Sequence, residues 1–432
     1  MNGAVAAGHP LTAETGAATL SAGGNAVDAA IASVFAASVL EGPLTGPAGG
    51  GFLLLHLDGE PLVLDCFFAA PSRPAATMEE LVVDFVDAGQ QVFHVGEGSV
   101  AVPGLVHGLE EAHRRFGRLE WKSLVQPAVE LAEAGYEPSE QQAFLHGILV
   151  GILLRDEGGR RIYGDPARIE TGEIAATLEA IRDRGAAAVA ELLPEFAADL
   201  AAYRVEERAP LRGRYRGRDV LATPTPSLGG QIVVTALERI DKLGLATALA
   251  AGYGSAAPGR ITGTTHVSVI DADGNAASLS STLGSGSGVF RGGTQLNNML
   301  GERDVVGHAE LEPGERLASM MTPVIVLENG RPRLVLGSAG SVRLAGAIAQ
   351  VASRVVAGEP VAAAIDAPRV HVDGATLHLE GGWEGEEPAG FELVRWSGRN
   401  LFFGGVSAVE VRADGSLAAA GDPRRGGDGV VI

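Results

Sequence analysis

Apolar residues recur at helical spacing early in the chain, with Leu20, Val27, Ile31 and Val34 on the repeat. Gly23-Gly24-Asn25 interrupts that pattern as a stop-and-restart signal, so Ala13 to Leu40 predicts two helices in series. Gly42-Pro43 through Gly49-Gly50-Gly51 reads as a loop. The run from Phe52 to Asp65 predicts two strands joined at Asp58-Gly59. From Gly104 to about Ala202 the pattern is mostly helical, and Val125 to Ala132 predicts a helix start with Pro127 in its first turn. Pro224, Pro226, Gly229 and Gly230 mark a loop before a helix from Ile232 to Ile240. Beyond Gly259 the period shortens. Thr265 to Ser280 predicts a hairpin turning at Asp273-Gly274, and Val324 to Leu336 a second one turning at Asn329-Gly330. A helix over Ala345 to Val356 and a last hairpin-like turn at Asp414-Gly415 follow. Runs of helices between hairpins point to antiparallel sheet with helices packed on it, not to alternating βαβ units.

Composition narrows the function classes. The 432 residues are 46% hydrophobic, enough for a sizeable core and incompatible with global disorder. Length allows two or three domains or one large α/β domain. Lys and Arg number 33 against 53 Asp and Glu, a net charge of −20, which argues against nucleic acid or an anionic membrane surface as a partner. The single cysteine, Cys66, excludes an intramolecular disulfide framework and Cys-rich zinc sites, and its apolar neighbours suit a packing role. The longest mostly apolar run, Ala29 to Leu40, is too short for a membrane-spanning helix. Met1-Asn2-Gly3-Ala4-Val5 has no basic region ahead of an apolar core, so a cytoplasmic location is expected.

Two candidate motifs are weak. Gly284-Ser285-Gly286-Ser287-Gly288 lacks the Lys-Ser/Thr of a phosphate-binding loop. His371 and Asp373 share a face of a probable strand with His378 nearby, without diagnostic metal spacing. The informative stretch is Gly263-Thr264-Thr265-His266, which alone is only the start of a β-branched strand. Downstream come Ser280-Ser281-Thr282-Leu283-Gly284, Leu296-Asn297-Asn298-Met299-Leu300, Leu317-Ala318-Ser319-Met320-Met321-Thr322-Pro323 and Gly337-Ser338-Ala339-Gly340-Ser341. Upstream are Gly23-Gly24-Asn25-Ala26-Val27-Asp28, Gly49-Gly50-Gly51-Phe52, Val102-Pro103-Gly104 and Ser227-Leu228-Gly229-Gly230, and near the end Asp422-Pro423-Arg424. In order and spacing these resemble the γ-glutamyltransferases, a family of N-terminal-nucleophile (Ntn) hydrolases, over nearly the whole chain.

The resemblance implies a four-layer αββα sandwich, two stacked antiparallel sheets between helical layers. It implies a precursor that cuts itself between Gly263 and Thr264, giving segments 1–263 and 264–432 that form one intertwined unit. Thr264 would then be nucleophile and, through its freed amine, base. Thr282 would orient or polarise it, and the backbone N–H groups of Gly340 and Ser341 would form the oxyanion hole. No cofactor or metal is needed for such chemistry, and the partner is a small-molecule amide or γ-glutamyl substrate. A homo-oligomer is compatible.

The departures from the family pattern cluster in substrate recognition. The arginine that would hold the α-carboxylate of glutamate is replaced by Phe67, and two adjacent serines in the same role read as Ser319 and Met320. The asparagine and glutamine expected near the α-amino group are Gly284 and Met299, while its acidic partner is Glu302. Arg291, Arg303 and Arg343 are candidates for a compensating cation. The segment between Glu302 and Leu317 is short for a lid, and the helical part of the first segment is reduced. Two further readings stand beside γ-glutamyl transfer: an acylase of the same fold with a more apolar acyl group, as in cephalosporin-type acylases, and an unprocessed, non-catalytic binding homologue. His266, two positions after Thr264, is expected to bond structurally, as are Asp28, Asn297 and Asn298.

Overall fold

The computed structural model of the chain describes residues 3–73, 77–85, 89–255, 263–302 and 311–432, so Arg303 and most of the short segment after Glu302 lie outside the described residues. Two antiparallel sheets dominate. The first has seven strands in the spatial order Asp428–Val431, Ala4–Ala7, Thr265–Ile270, Ala276–Thr282, Gly50–Leu57, Glu60–Cys66, Glu206–Arg208. The second has six, in the order Leu417–Ala420, Gly405–Val411, Arg331–Ala339, Val324–Glu328, Arg218–Ala222, Leu211–Tyr215. Each sheet takes strands from both sides of Gly263, so neither side closes a core alone.

Strand alternation splits the first sheet between two cores. Ala4, Ala6, Phe52 and Leu54 face the second sheet. Val5, Ala7, Leu53 and Leu55 face the opposite way, onto helix Ala26–Leu40. That helix is apolar all round and wholly buried, which suits an element packed between a sheet and helices Pro10–Ser21 and Trp121–Ala134. Helices Gly229–Leu243 and Arg343–Val356 cover the far face of the second sheet. The layers are therefore helix, sheet, sheet, helix, the expected sandwich. Among the described residues no helix is long and apolar enough to cross a membrane.

Most boundaries follow the sequence pattern, and the turns at Asp58-Gly59, Asp273-Gly274, Asn329-Gly330 and Asp414-Gly415 each join paired strands. One differs. The helix expected to begin near Val125 begins at Trp121, which leaves Pro127 inside it. Tertiary contact extends it: the Trp121 indole donates to the Ile181 carbonyl at 3.0 Å and meets the Phe35 ring edge-on. The hairpin Glu79–Phe85 with Gly89–Val95 was not anticipated.

Helix Ala26–Leu40 starts on a reciprocal cap. The Asn25 side chain accepts from the N–H of Val27 and Asp28 at 3.0 Å each, and Asp28 accepts from the N–H of Asn25 at 3.0 Å. Asp28 also accepts from the backbone of Arg118 and Leu119, the structural role expected of it. Asn25→Ala is expected to lower unfolding stability by about 1–2 kcal/mol in denaturant titrations.

Candidate active site

The hairpin formed by Thr265–Ile270 and Ala276–Thr282 builds the centre of the site. Its register pairs Thr265 with Ser281, which brings Thr282 level with Thr264. The Thr282 hydroxyl donates to the carbonyl of Gly263 and accepts the Gly284 N–H at 2.8 Å. Gly263 adopts φ +79°, and a Cβ there would lie 1.8 Å from the Gly284 carbonyl oxygen, so only glycine fits. Thr264 is buried.

Beyond Gly284 the chain curls around two polar side chains. Asn298 accepts from the N–H of Ser285 at 2.8 Å and of Gly286 at 3.2 Å. Glu302 accepts from the Ser285 N–H at 3.0 Å and the Ser285 hydroxyl at 2.6 Å. A Cβ on Gly284 would meet Asn298, Glu302 and the Met299 sulfur, so Gly284, Met299 and Glu302 converge as the sequence suggested. Asn297 bonds the backbone of Ala48, Ala101 and Met299, a structural use.

The turn after strand Arg331–Ala339 carries the oxyanion candidates. Gly340 has φ +121°, with Gly404 so close that a Cβ would lie 2.7 Å from its Cα. Ser341 has φ +68°, a left-handed conformation that costs a non-glycine residue energy. Arg343 donates its Nε to the Gly340 carbonyl at 3.1 Å and lies over the Phe402 ring, so it braces the turn. Ala339, one residue before the turn, lines the same cavity as Thr264.

The segments that carry Phe67 and Ser319-Met320 are joined through neighbouring backbone. Leu317 N–H donates to the Phe68 carbonyl at 3.0 Å and Ala70 N–H to the Glu315 carbonyl at 2.9 Å, so the two segments run side by side. Phe67 is buried, stacked on Phe52 at 5.1 Å and edge-on to Phe68 at 4.9 Å. Met320 and Met299 belong to the same apolar cluster. The Ser319 hydroxyl accepts from the Met321 N–H at 3.1 Å.

Several nearby groups are structural. His266 has one ring nitrogen 2.8 Å from the Ser280 hydroxyl and the other 3.0 Å from that of Ser268, and burial pushes it down to about 3, so it is a neutral tie. Burial pushes the Cys66 thiol up to about 12, too high for a nucleophile. His371 and His378 stack in an aromatic cluster, and no group of three metal-ligating side chains occurs among the described residues. Arg291 pairs with Glu97 and Glu195 near the surface.

The chain matches the gamma-glutamyltranspeptidase family over residues 12–257 and 245–432. It is 30% identical to an Acylase ACY 1 proenzyme of Pseudomonas sp. (strain SE83), covering 100% of this chain and 93% of the relative. It is also 30% identical to a glutathione hydrolase proenzyme of Pseudomonas aeruginosa, covering 100% of this chain and 94% of the relative. Its fold is like that of the cephalosporin acylase from Bacillus halodurans, with a TM-score of 0.81 at 22% identity over 100% of this chain and 95% of that one. The chain belongs to the gamma-glutamyltranspeptidase family.

This family member is thus an enzyme of the γ-glutamyltransferase and acylase class. It carries two ionisable groups in the Thr264 cavity that motif reading missed. Glu41, at the end of helix Ala26–Leu40, accepts from the Thr265 hydroxyl at 2.5 Å and the Thr12 hydroxyl at 3.2 Å. Arg425 follows the Asp422-Pro423-Arg424 motif and lines the Thr264 cavity with Glu41. The only signals in the sequence were a lone acid closing an apolar helix and a second arginine after the motif.

Burial raises the Glu41 carboxyl to about 7. A folded-state value above the unfolded one favours the protonated form, so its contribution to stability is full below about pH 4.5 and is lost as pH rises through 7. The loss amounts to roughly 3 kcal/mol. Unfolding free energy measured from pH 5 to pH 8 is expected to fall in the native protein and to fall by less in Glu41→Gln.

Proposed function

We propose that the chain cuts its own Gly263–Thr264 bond and that the freed Thr264 is the nucleophile of an amide-cleaving acyl transfer. The Thr264 hydroxyl attacks the Gly263 carbonyl carbon, the peptide C–N bond breaks, and an ester joins Gly263 to Thr264. Water hydrolyses that ester, leaving segments 1–263 and 264–432 as the two halves of one interlocked fold. The observation that carries this reading is the Thr282 hydroxyl donating to the Gly263 carbonyl, which polarises the bond to be cut.

A threonine hydroxyl is a weak nucleophile and needs a base. The freed α-amine, with an ordinary pKa of about 7.7–8.0, takes the proton from the hydroxyl of its own residue near neutral pH. The N–H groups of Gly340 and Ser341 then receive the oxyanion. The acyl group of a small-molecule amide passes to Thr264, the amine leaves with the proton, and water or a second amine takes the acyl group. The substrate reading is a γ-glutamyl-type amide. A second reading, an acyl group lacking the polar α-substituents of glutamate, is favoured by one observation: Phe67 is stacked on Phe52 where the resemblance implies a guanidinium, and a ring cannot make the bidentate carboxylate pair.

Intact mass under denaturing conditions tests the first step. Native protein is expected to separate into two chains beginning at Met1 and Thr264, whereas Thr264→Ala stays whole at 44.2 kDa. Thr282→Ala is expected to slow cleavage by about 100-fold or more, the cost of losing one oxyanion-type donor. A native chain that stays whole on long incubation would favour a non-catalytic homologue.

Substrate profiling tests the second reading. A γ-glutamyl anilide is expected to be turned over more slowly than five-carbon acyl anilides without the amino group. Phe67→Arg with Met320→Ser is expected to raise kcat/KM for the γ-glutamyl anilide by at least about 10-fold, since a buried polar pair discriminates strongly.

A further inference from the structure

Helix Glu140–Leu153 is apolar nearly all round, yet only one side of it is covered. Inward, Leu149, Ile152 and Leu153 pack on the hairpin Glu79–Val95, and Gln142, Leu145 and His146 line the Thr264 cavity. Outward, Ala143, Phe144, Gly147, Val150, Gly151 and the half-buried Leu154 recur at three- and four-residue steps, the spacing of one helix face. Phe144 is 47% exposed and Val150 48%. From 141 to 154 there is no Asp, Glu, Lys or Arg, in a chain that is 20% charged. A helix of this composition is normally buried on all sides, so the outer face is short of a cover.

The two ends of that face indicate what covers it. Glu140 opens it, exposed and paired with no cation among the described residues. At the other end the exposed Arg160 donates its Nη1 to the carbonyls of Leu154 at 2.9 Å and Arg155 at 3.1 Å. It pairs with no carboxylate among the described residues. The face is therefore acidic at its start, neutral along its length and basic at its end. That pattern complements itself when two copies run antiparallel. A two-fold axis at Gly147 sets Phe144 against the partner's Val150 and Ala143 against the partner's Gly151. It also sets Glu140 against the partner's Leu154, where the Arg160 guanidinium sits. Each contact then occurs twice, as in any isologous interface. Nothing lies within 4 Å of where a Cβ on Gly147 would stand, so the two backbones can come close at the axis. The net charge of −20 argues against an anionic lipid surface as the cover.

We propose that a second copy of this chain docks antiparallel along the outer face of helix Glu140–Leu153. The product is a two-fold dimer whose interface backs onto the helix that walls the Thr264 cavity.

Sedimentation velocity of the full chain at tens of micromolar tests this. Native protein is expected to run at twice the 44.2 kDa mass of one chain, cut or uncut, because both sheets take strands from either side of Gly263. Phe144→Glu is expected to weaken the dimer at least about 10-fold. Gly147→Glu and Gly147→Lys meet open space within one copy but set like charges together at the axis. Both are expected to weaken the dimer while the dilute single copy keeps or gains Tm, since each improves helix propensity over glycine. Glu140→Arg and Arg160→Glu are each expected to weaken it, and the two together to restore most of the native affinity. A single-copy mass at tens of micromolar, a dimer indifferent to Phe144→Glu and Gly147→Glu, or reversed charges that restore nothing would overturn the proposal. So would flotation of single copies with neutral phosphatidylcholine vesicles that Phe144→Glu abolishes, a result that assigns the face to lipid.

Discussion

The carbonyl of Gly263 meets the hydroxyl of Thr282 because two backbones approach where no Cβ is allowed. A side chain at 263 would collide with the Gly284 carbonyl, and the Gly284 N–H is itself bonded to Thr282. The contact depends on strand register. Thr265 opposite Ser281 is the last ladder pair, and a slip of one residue would turn the Thr282 hydroxyl to the opposite face. The tight turn at Asp273-Gly274 holds that register from one end, with the Asp271 carboxylate accepting the N–H groups of Asp273 and Asn275. On the other side of Ala276–Thr282, pairing with Gly50–Leu57 holds the full length.

A second constraint carries this precision across the sandwich. Between the sheets lies a polar seam of His266, Ser268, Ser278 and Ser280 in an otherwise apolar interior. Ser268 donates to the Ser407 carbonyl at 3.0 Å and Ser278 to the Leu336 carbonyl at 3.2 Å. Gly337 leaves room for the His266 ring, which a Cβ there would meet at 2.3 Å. Buried hydroxyls that lose their partners cost more than apolar groups that slide, so these bonds fix the height at which strand Arg331–Ala339 docks. The turn at Gly340-Ser341 is the continuation of that strand, whose last residue, Ala339, lines the cavity with Thr264.

How much of this could be read from the sequence varies with the range of the interaction responsible. Four hairpins were legible because Asp-Gly and Asn-Gly turns are local signals, whereas those at Glu79–Val95 and Leu211–Ala222 carry no such turn and were missed. The break between the first two helices was legible because Gly23-Gly24-Asn25 both ends one and caps the next. The start of helix Trp121–Ala134 was misread because its anchor, the Ile181 carbonyl, is remote in sequence. Within the site, Thr264, Thr282, Gly284, Met299, Glu302 and Gly340 sit in short contiguous motifs, so their residue types stood out. Glu41 and Arg425 reach the same cavity from opposite ends of the chain, and no spacing rule connects them. Arg425 was hidden further by its neighbour: Arg424 is the motif residue, and it is spent on Glu380 and Asp422.

Chemistry and recognition rest on different parts of this fold, which explains how one can change while the other stays. On the proposed acyl-transfer reading, the groups for bond cleavage are set by backbone conformation at Gly263, Gly340 and Ser341. The recognition shell that the family likeness implies comes from side chains on connecting segments at 67, 284, 299 and 319–320. Exchange there disturbs little. Replacing a guanidinium at 67 leaves no stranded acid beside it, because Asp65 is held by Arg208 at 2.8 Å, with Arg316 3.6 Å away. Met299 and Met320 are unbranched and fill irregular space without imposing a new geometry. The C-terminal turn is fixed separately, with the Asp422 carboxylate tying Arg369, Arg424 and the Val406 N–H together. Side chains at 67, 299 and 320 can therefore change while the strand pairing that places Thr264 keeps its geometry.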